Sequence, residues 1–162
     1  TVQLDDREQC EWWRVFRIGQ RPENNTPHFS IGQDEVSLEA VYRHPAGYSH
    51  RRYVHYESKQ QCWEVKDTVE ACPGDHEIKS VIHLRPYTEV VCRDTAVSLG
   101  MGSENCRITL RSPGTIELIG VTTPGESNWY CPEFGRKFPT NAIIMRCRGN
   151  APLILAYTIC IV

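Results

Sequence analysis

The stretch Val36-Ser37-Leu38-Glu39-Ala40-Val41-Tyr42-Arg43 decides the fold class. Val36, Leu38, Ala40 and Tyr42 share one parity, while Ser37, Glu39 and Arg43 hold the other. Successive side chains of a strand point to opposite faces, so this period of two describes a strand with one buried side and one wet side. Pro45-Ala46-Gly47 supplies turn chemistry, and Arg51 to Tyr56 continues as a second strand. The pair is predicted to be a hairpin. Arg51, Tyr53 and His55 fall on one of its faces, and His50, Arg52, Val54 and Tyr56 on the other.

Working outward, the same parity joins Ile78, Ile82 and Leu84, then Ile108 and Leu110, Ile116 and Leu118, and Ile143, Met145 and Cys147. Leu153 to Val162 is apolar on both parities and reads as a central strand covered on both faces. Pro73-Gly74-Asp75, Ser112-Pro113-Gly114, Pro124-Gly125 and Gly149-Asn150-Ala151-Pro152 punctuate these runs as turns. Gln61 to Ala71 is the one stretch suited to a short helix, and Arg93 to Asn105 reads as a long loop. The prediction is all-β: residues 1–162 form a single extracellular domain, an antiparallel sandwich or barrel of about eight or nine short strands with little helix.

Eight cysteines, Cys10, Cys62, Cys72, Cys92, Cys106, Cys131, Cys147 and Cys160, are even in number and scattered along the chain. That pattern reads as a disulfide framework in an oxidising compartment, each bridge adding about 2–4 kcal/mol. Metal ligands usually come in close pairs such as C-x₂-C; none is present, and no metal or cofactor is expected. The formal charge of −2 argues against a nucleic-acid binder, which carries a strongly basic face. The apolar C-terminus is too short for a membrane helix, which needs about 20 residues. Thr1 to Arg7 lacks the features of a signal peptide, so a mature secreted chain is expected, with Asn24 of Asn24-Asn25-Thr26 as its glycosylation acceptor.

Chemistry concentrates between Tyr42 and Tyr56, which hold three histidines, three arginines and four tyrosines. Arginine and tyrosine combine contact area with hydrogen bonding, as recognition hot spots require. The predicted binding surface is therefore Arg43, Tyr48, His50, Arg51, Arg52, Tyr53 and His55, with Trp129 and Tyr130 second. A ribonuclease-type hydrolase would need paired histidines and a cation, types that His55, Glu57, His83, Arg85 and Arg107 supply. Nothing in their spacing makes them converge. His76-Glu77 lacks the second histidine of a metalloprotease motif, and there is no nucleophile elbow or phosphate loop. The favoured reading is a secreted, disulfide-rich binding protein without enzymatic activity, whose partner is another extracellular protein. An anionic or apolar ligand is a secondary partner, and a lipid carrier with its ligand between two sheets is the alternative.

Overall fold

Val36, Leu38, Ala40 and Tyr42 stand opposite Tyr56, Val54, Arg52 and His50 in the expected hairpin, but Val36 and Leu38 are exposed and only Tyr42 of that side packs on the core. The structure, a computed structural model, describes residues 2–14, 17–102, 104–120 and 128–162. The Pro124-Gly125 turn lies outside the described residues. No helix occurs among those described.

The strands in chain order are β1 (Val2–Leu4), β2 (Trp12–Arg14), β3 (Arg17–Ile18), β4 (Glu23–Asn24), β5 (His28–Ile31) and β6 (Glu35–Arg43). There follow β7 (Ser49–Glu57), β8 (Cys62–Glu70), β9 (Asp75–His83), β10 (Glu89–Arg93), β11 (Ala96–Met101) and β12 (Glu104–Leu110). The chain continues with β13 (Thr115–Ile119), β14 (Trp129–Glu133), β15 (Arg136–Pro139), β16 (Ala142–Asn150) and β17 (Leu153–Ile161). They build a nine-stranded antiparallel sheet in the order β10-β11-β12-β17-β8-β7-β6-β4, with β5 also on β6, and a four-stranded sheet in the order β1-β9-β16-β13. Two ribbons, β14-β15 and β2-β3, stand apart. The strand count exceeds the expected eight or nine because several edge elements are only two to five residues long.

The two large sheets pack face to face. Val65 and Val69 of β8, Leu155 and Tyr157 of β17, and Ile108 of β12 meet Ile78, Met145 and Ile143 from the smaller sheet, with Val2 and Leu4 closing its edge. Removing this apolar surface from water is the main driving force, roughly 25 cal/mol for each Å² buried. The all-β, disulfide-stabilised sandwich is thus the architecture. Leu153 to Val162 does lie centrally, between β12 and β8. Only one of its faces is covered, since Leu153 and Leu155 are buried while Ile154 is 41% exposed. The space between the sheets is occupied by these core side chains, so the stretch from Ile143 onward lines a packed core where a lipid carrier would need a cleft.

Two local expectations are corrected. Gln61 to Ala71 holds β8, because Val65, Asp67 and Val69 turn inward while Glu64, Lys66 and Glu70 turn to water. The acid at an inward position hides that alternation. Arg93 to Asn105 holds β11 and the start of β12, with Val97 and Leu99 as its inward anchors.

The cysteine framework is corrected as well. Cys62 and Cys160 are bonded across β8 and β17, which their register places directly opposite each other. Cys10, Cys72, Cys92, Cys106, Cys131 and Cys147 are free thiols. Cys106 and Cys147 serve as small apolar side chains of the core, and burial pushes both thiols up from their ordinary value.

Candidate functional site

The inner face of the β6-β7 hairpin ends in a polar cluster centred on Asp67. Register sets it: Asp67 of β8 stands opposite Arg52 of β7, with His50 two residues along on the same face. Arg52 donates from Nε to Asp67 Oδ1 at 2.7 Å and from Nη2 to Oδ2 at 2.9 Å. His50 Nε2 lies 2.7 Å from Oδ1. Asp67 is fully buried and His50 nearly so. Burial alone would raise the Asp67 carboxyl, but the His50 and Arg52 hydrogen bonds, with the positive charge beside them, bring it below the usual carboxylate range. Asp67 is therefore a carboxylate that fixes two cationic-type side chains.

Aromatic rings wall this cluster. Tyr42 meets His50 edge-on at 5.1 Å between centroids and Tyr48 at 6.3 Å, and His44 stacks on Tyr48 at 4.4 Å. Burial raises the hydroxyls of Tyr42, Tyr48 and Tyr157, so each stays a protonated donor. Toward the sheet edge the cluster opens into a groove of about 420 Å³. Asn24, Asn25, Pro27, Ala40 and Tyr42 line it, with His50 and Arg52 at its base. The Asn25 side-chain carbonyl accepts the Val41 N–H at 2.7 Å, which holds the groove wall against β6. The groove is mostly apolar, with the Asn24 and Asn25 amides and the Asp67-paired Arg52 guanidinium as the polar groups able to orient a ligand. His50 is 3% exposed and its Nε2 faces Asp67, so it positions rather than transfers protons.

The predicted recognition residues are divided among several places. Tyr48 and His50 are buried, and Arg52 is half-buried in the groove. Arg51, Tyr53 and His55 lie on the opposite face of the hairpin. There Arg51 pairs with Glu39 at 2.7 Å, Tyr53 stacks parallel to His55, and His55 comes 3.9 Å from Glu35. Arg43 ends β6 beside a separate groove with Cys72. Trp129 and Tyr130 belong to the β14-β15 ribbon, where Lys137 sits 4.2 Å over the Trp129 ring. Asn24, the expected glycan acceptor, is exposed in β4. His55 on the larger sheet and His83 on the smaller face away from the core on opposite sides, so the residues of the ribonuclease reading do not converge. Asp67 and Asn25 were missed by sequence reasoning. An acid between Val65 and Val69 on one parity was the available signal.

The profile of the family described as heparinase II/III-like, C-terminal, matches residues 1–157. Among solved structures, heparan sulfate lyase HepC from Pedobacter heparinus superposes with a TM-score of 0.76 at 14% identity, covering 99% of this chain and 23% of that one. The heparinase III BT4657 gene product gives a TM-score of 0.73 at 12% identity, with the same coverage. A further heparinase III structure gives 0.62 at 13% identity, covering 88% of this chain and 21% of its own. At such identity the likeness shows the fold, and the chain spans about a quarter of the length of those enzymes. A search of curated proteins found no significant match.

These matches overturn the functional expectation. The expectation of a disulfide-rich binder of an extracellular protein gives way to the heparinase II/III-like, C-terminal family, and the expectation of a non-enzyme is withdrawn with it. The expected protein partner finds no support in these matches, and the carrier and ribonuclease alternatives lose their footing with it. The β-sandwich stands, and the protein-binding role does not.

Proposed function

Because the chain belongs to the heparinase II/III-like, C-terminal family, we propose that it works as the β-sandwich domain of a lyase that degrades an acidic polysaccharide, with the Asn24–Arg52 groove facing the sugar chain. The observation that carries this reading is the coincidence of a family match over residues 1–157 with a fold likeness to heparan sulfate lyases over 99% of the chain.

Elimination from a uronate-containing polymer needs a base at the carbon beside the carboxylate, charge neutralisation there, and a grip on flanking sugars. The groove fits the third task. Arg52 keeps N–H groups beyond those given to Asp67, Asn24 and Asn25 offer amides, and Tyr42 offers a ring face. With His50 enclosed against Asp67, this groove does not itself supply the base for proton abstraction. The polymer is met outside the cytoplasm, in a periplasm or beyond the cell, and the Cys62–Cys160 bond agrees with such a compartment.

The groove is tested by filling it. Asn24 is exposed and ends a two-residue strand, so Asn24→Trp obstructs the groove without disturbing the core. Calorimetric titration with heparan sulfate oligosaccharides should show at least about tenfold weaker binding in that variant, the loss expected when one recognition subsite is blocked. Unchanged affinity would remove the groove from the reading.

A further inference from the structure

At the turn end of the β6-β7 hairpin, at a groove that shares no lining residue with the Asn24–Arg52 groove beside it, three chemically active side chains meet. His76 opens β9, and its Nδ1 lies 2.8 Å from Asp5 Oδ2. Its Nε2 lies 2.9 Å from the Cys72 backbone carbonyl and 3.9 Å from Cys72 Sγ. The other Asp5 oxygen accepts the Glu77 N–H at 3.0 Å, which fixes the carboxylate in turn. Both ring nitrogens therefore face oxygen acceptors, an arrangement fully bonded only when both carry protons. The hydrogen bond to Asp5 holds His76 above its ordinary value, in agreement with the imidazolium form.

The sulfur beside that ring is a free, exposed thiol. It opens on a groove of about 510 Å³ whose walls include Arg43, His44, Glu70 and Ala71. A cation next to a solvent-reachable sulfur is the setting in which cysteines become nucleophiles, in contrast to the enclosed Cys106 and Cys147.

We propose that Cys72, His76 and Asp5 form a reactive-thiol site that takes a small-molecule disulfide. The sulfur, its proton released to solvent, attacks one sulfur of the incoming R–S–S–R. A new S–S bond forms between Cys72 and one R–S group, the original S–S bond breaks, and the other R–S⁻ leaves with the bonding electron pair. His76 stabilises the attacking anion by its charge, and Asp5 keeps the ring aimed and protonated. The product is a reversible cap on the thiol, on a surface distinct from the Asn24–Arg52 groove, so this site does not depend on the polysaccharide assignment.

Cys131 is also exposed and free, and serves as an internal reference within each molecule. The protein is incubated with hydroxyethyl disulfide, a neutral probe, at pH 6, and the mixed disulfide at each cysteine is followed by peptide mass spectrometry. Cys72 should be capped about fivefold faster than Cys131, because the His76 ring 3.9 Å from its sulfur stabilises the attacking anion. His76→Gln should bring Cys72 down to the Cys131 rate and leave Cys131 unchanged. Equal rates at the two cysteines in the unaltered protein would overturn the proposal, as would an undiminished Cys72 rate in His76→Gln. Should His76→Gln fail to fold, the within-molecule comparison decides alone.

Discussion

Arg52 holds Asp67 with both arms of its guanidinium, Nε to Oδ1 at 2.7 Å and Nη2 to Oδ2 at 2.9 Å, inside an otherwise apolar face. Asp67 is wholly buried, so loss of Arg52 leaves its charge matched by His50 alone. Removing one partner of a buried pair costs about 3–5 kcal/mol, whereas replacing both by apolar groups is often close to neutral. Arg52→Met should lower the unfolding free energy in urea by that order. Arg52→Met with Asp67→Leu should recover much of the loss, and additive losses would show that the pair is not coupled.

The same cluster sets an acid limit. The Asp67 carboxyl lies below its unfolded value, so its contribution is fully present above about pH 4 and is lost as pH falls through the folded value. His76 has the opposite sign. Its folded value is raised, so its contribution is present below about pH 6.5 and fades as pH rises through the folded value. Urea midpoints between pH 3 and 8 should therefore decline on the acid side, and His76→Gln should narrow its gap to the parent protein as pH rises. A gap independent of pH would show that His76 does not titrate with folding.

Gly114 turns the chain between β12 and β13 with φ of 150°, and a Cβ there would collide with the Arg146 carbonyl. Neither the dihedral nor the space admits a side chain. Gly114→Ala should destabilise by at least about 1–3 kcal/mol, as other overpacked sites do. Gly135, also at positive φ, has nothing within 4 Å of the same position. Gly135→Ala should then cost less than Gly114→Ala in thermal unfolding, and the reverse order would contradict the assignment of the clash.

One bond closes a loop across 98 residues, from Cys62 to Cys160. Cys62→Ser with Cys160→Ser should cost about 2–4 kcal/mol by freeing the unfolded chain. Unfolded, non-reduced protein should expose six titratable thiols, since Cys10, Cys72, Cys92, Cys106, Cys131 and Cys147 are unpaired. No free thiols would restore the full framework that the cysteine count first suggested.

The sandwich was legible because Val36 to Tyr42 and the Ile and Leu parities further on are short-range signals, each readable within one strand. The hairpin faces were legible for the same reason, since His50 and Arg52 share one face as their parity requires, although that face turned out to be the inner one. What parity could not convey was depth. Whether His50 is a surface contact or a buried partner depends on β8, whose Asp67 is 17 residues further along the chain, and on Asp67 standing opposite Arg52. The cysteine count misled because oxidation depends on which strands meet. Only Cys62 and Cys160 share a register position. Function was less legible still, since the lineage resides in residues spread over the whole chain rather than in a compact motif.

A lyase reveals itself by elimination. The protein as its source expresses it is incubated with heparan sulfate, and the ultraviolet absorbance of unsaturated uronate ends is followed beside chain length. Absorbance should rise as the polymer shortens, and Asn24→Trp should slow the rise at low polymer concentration more than at saturation. Shortening without new absorbance, or no reaction with any acidic polysaccharide, would contradict the lyase assignment.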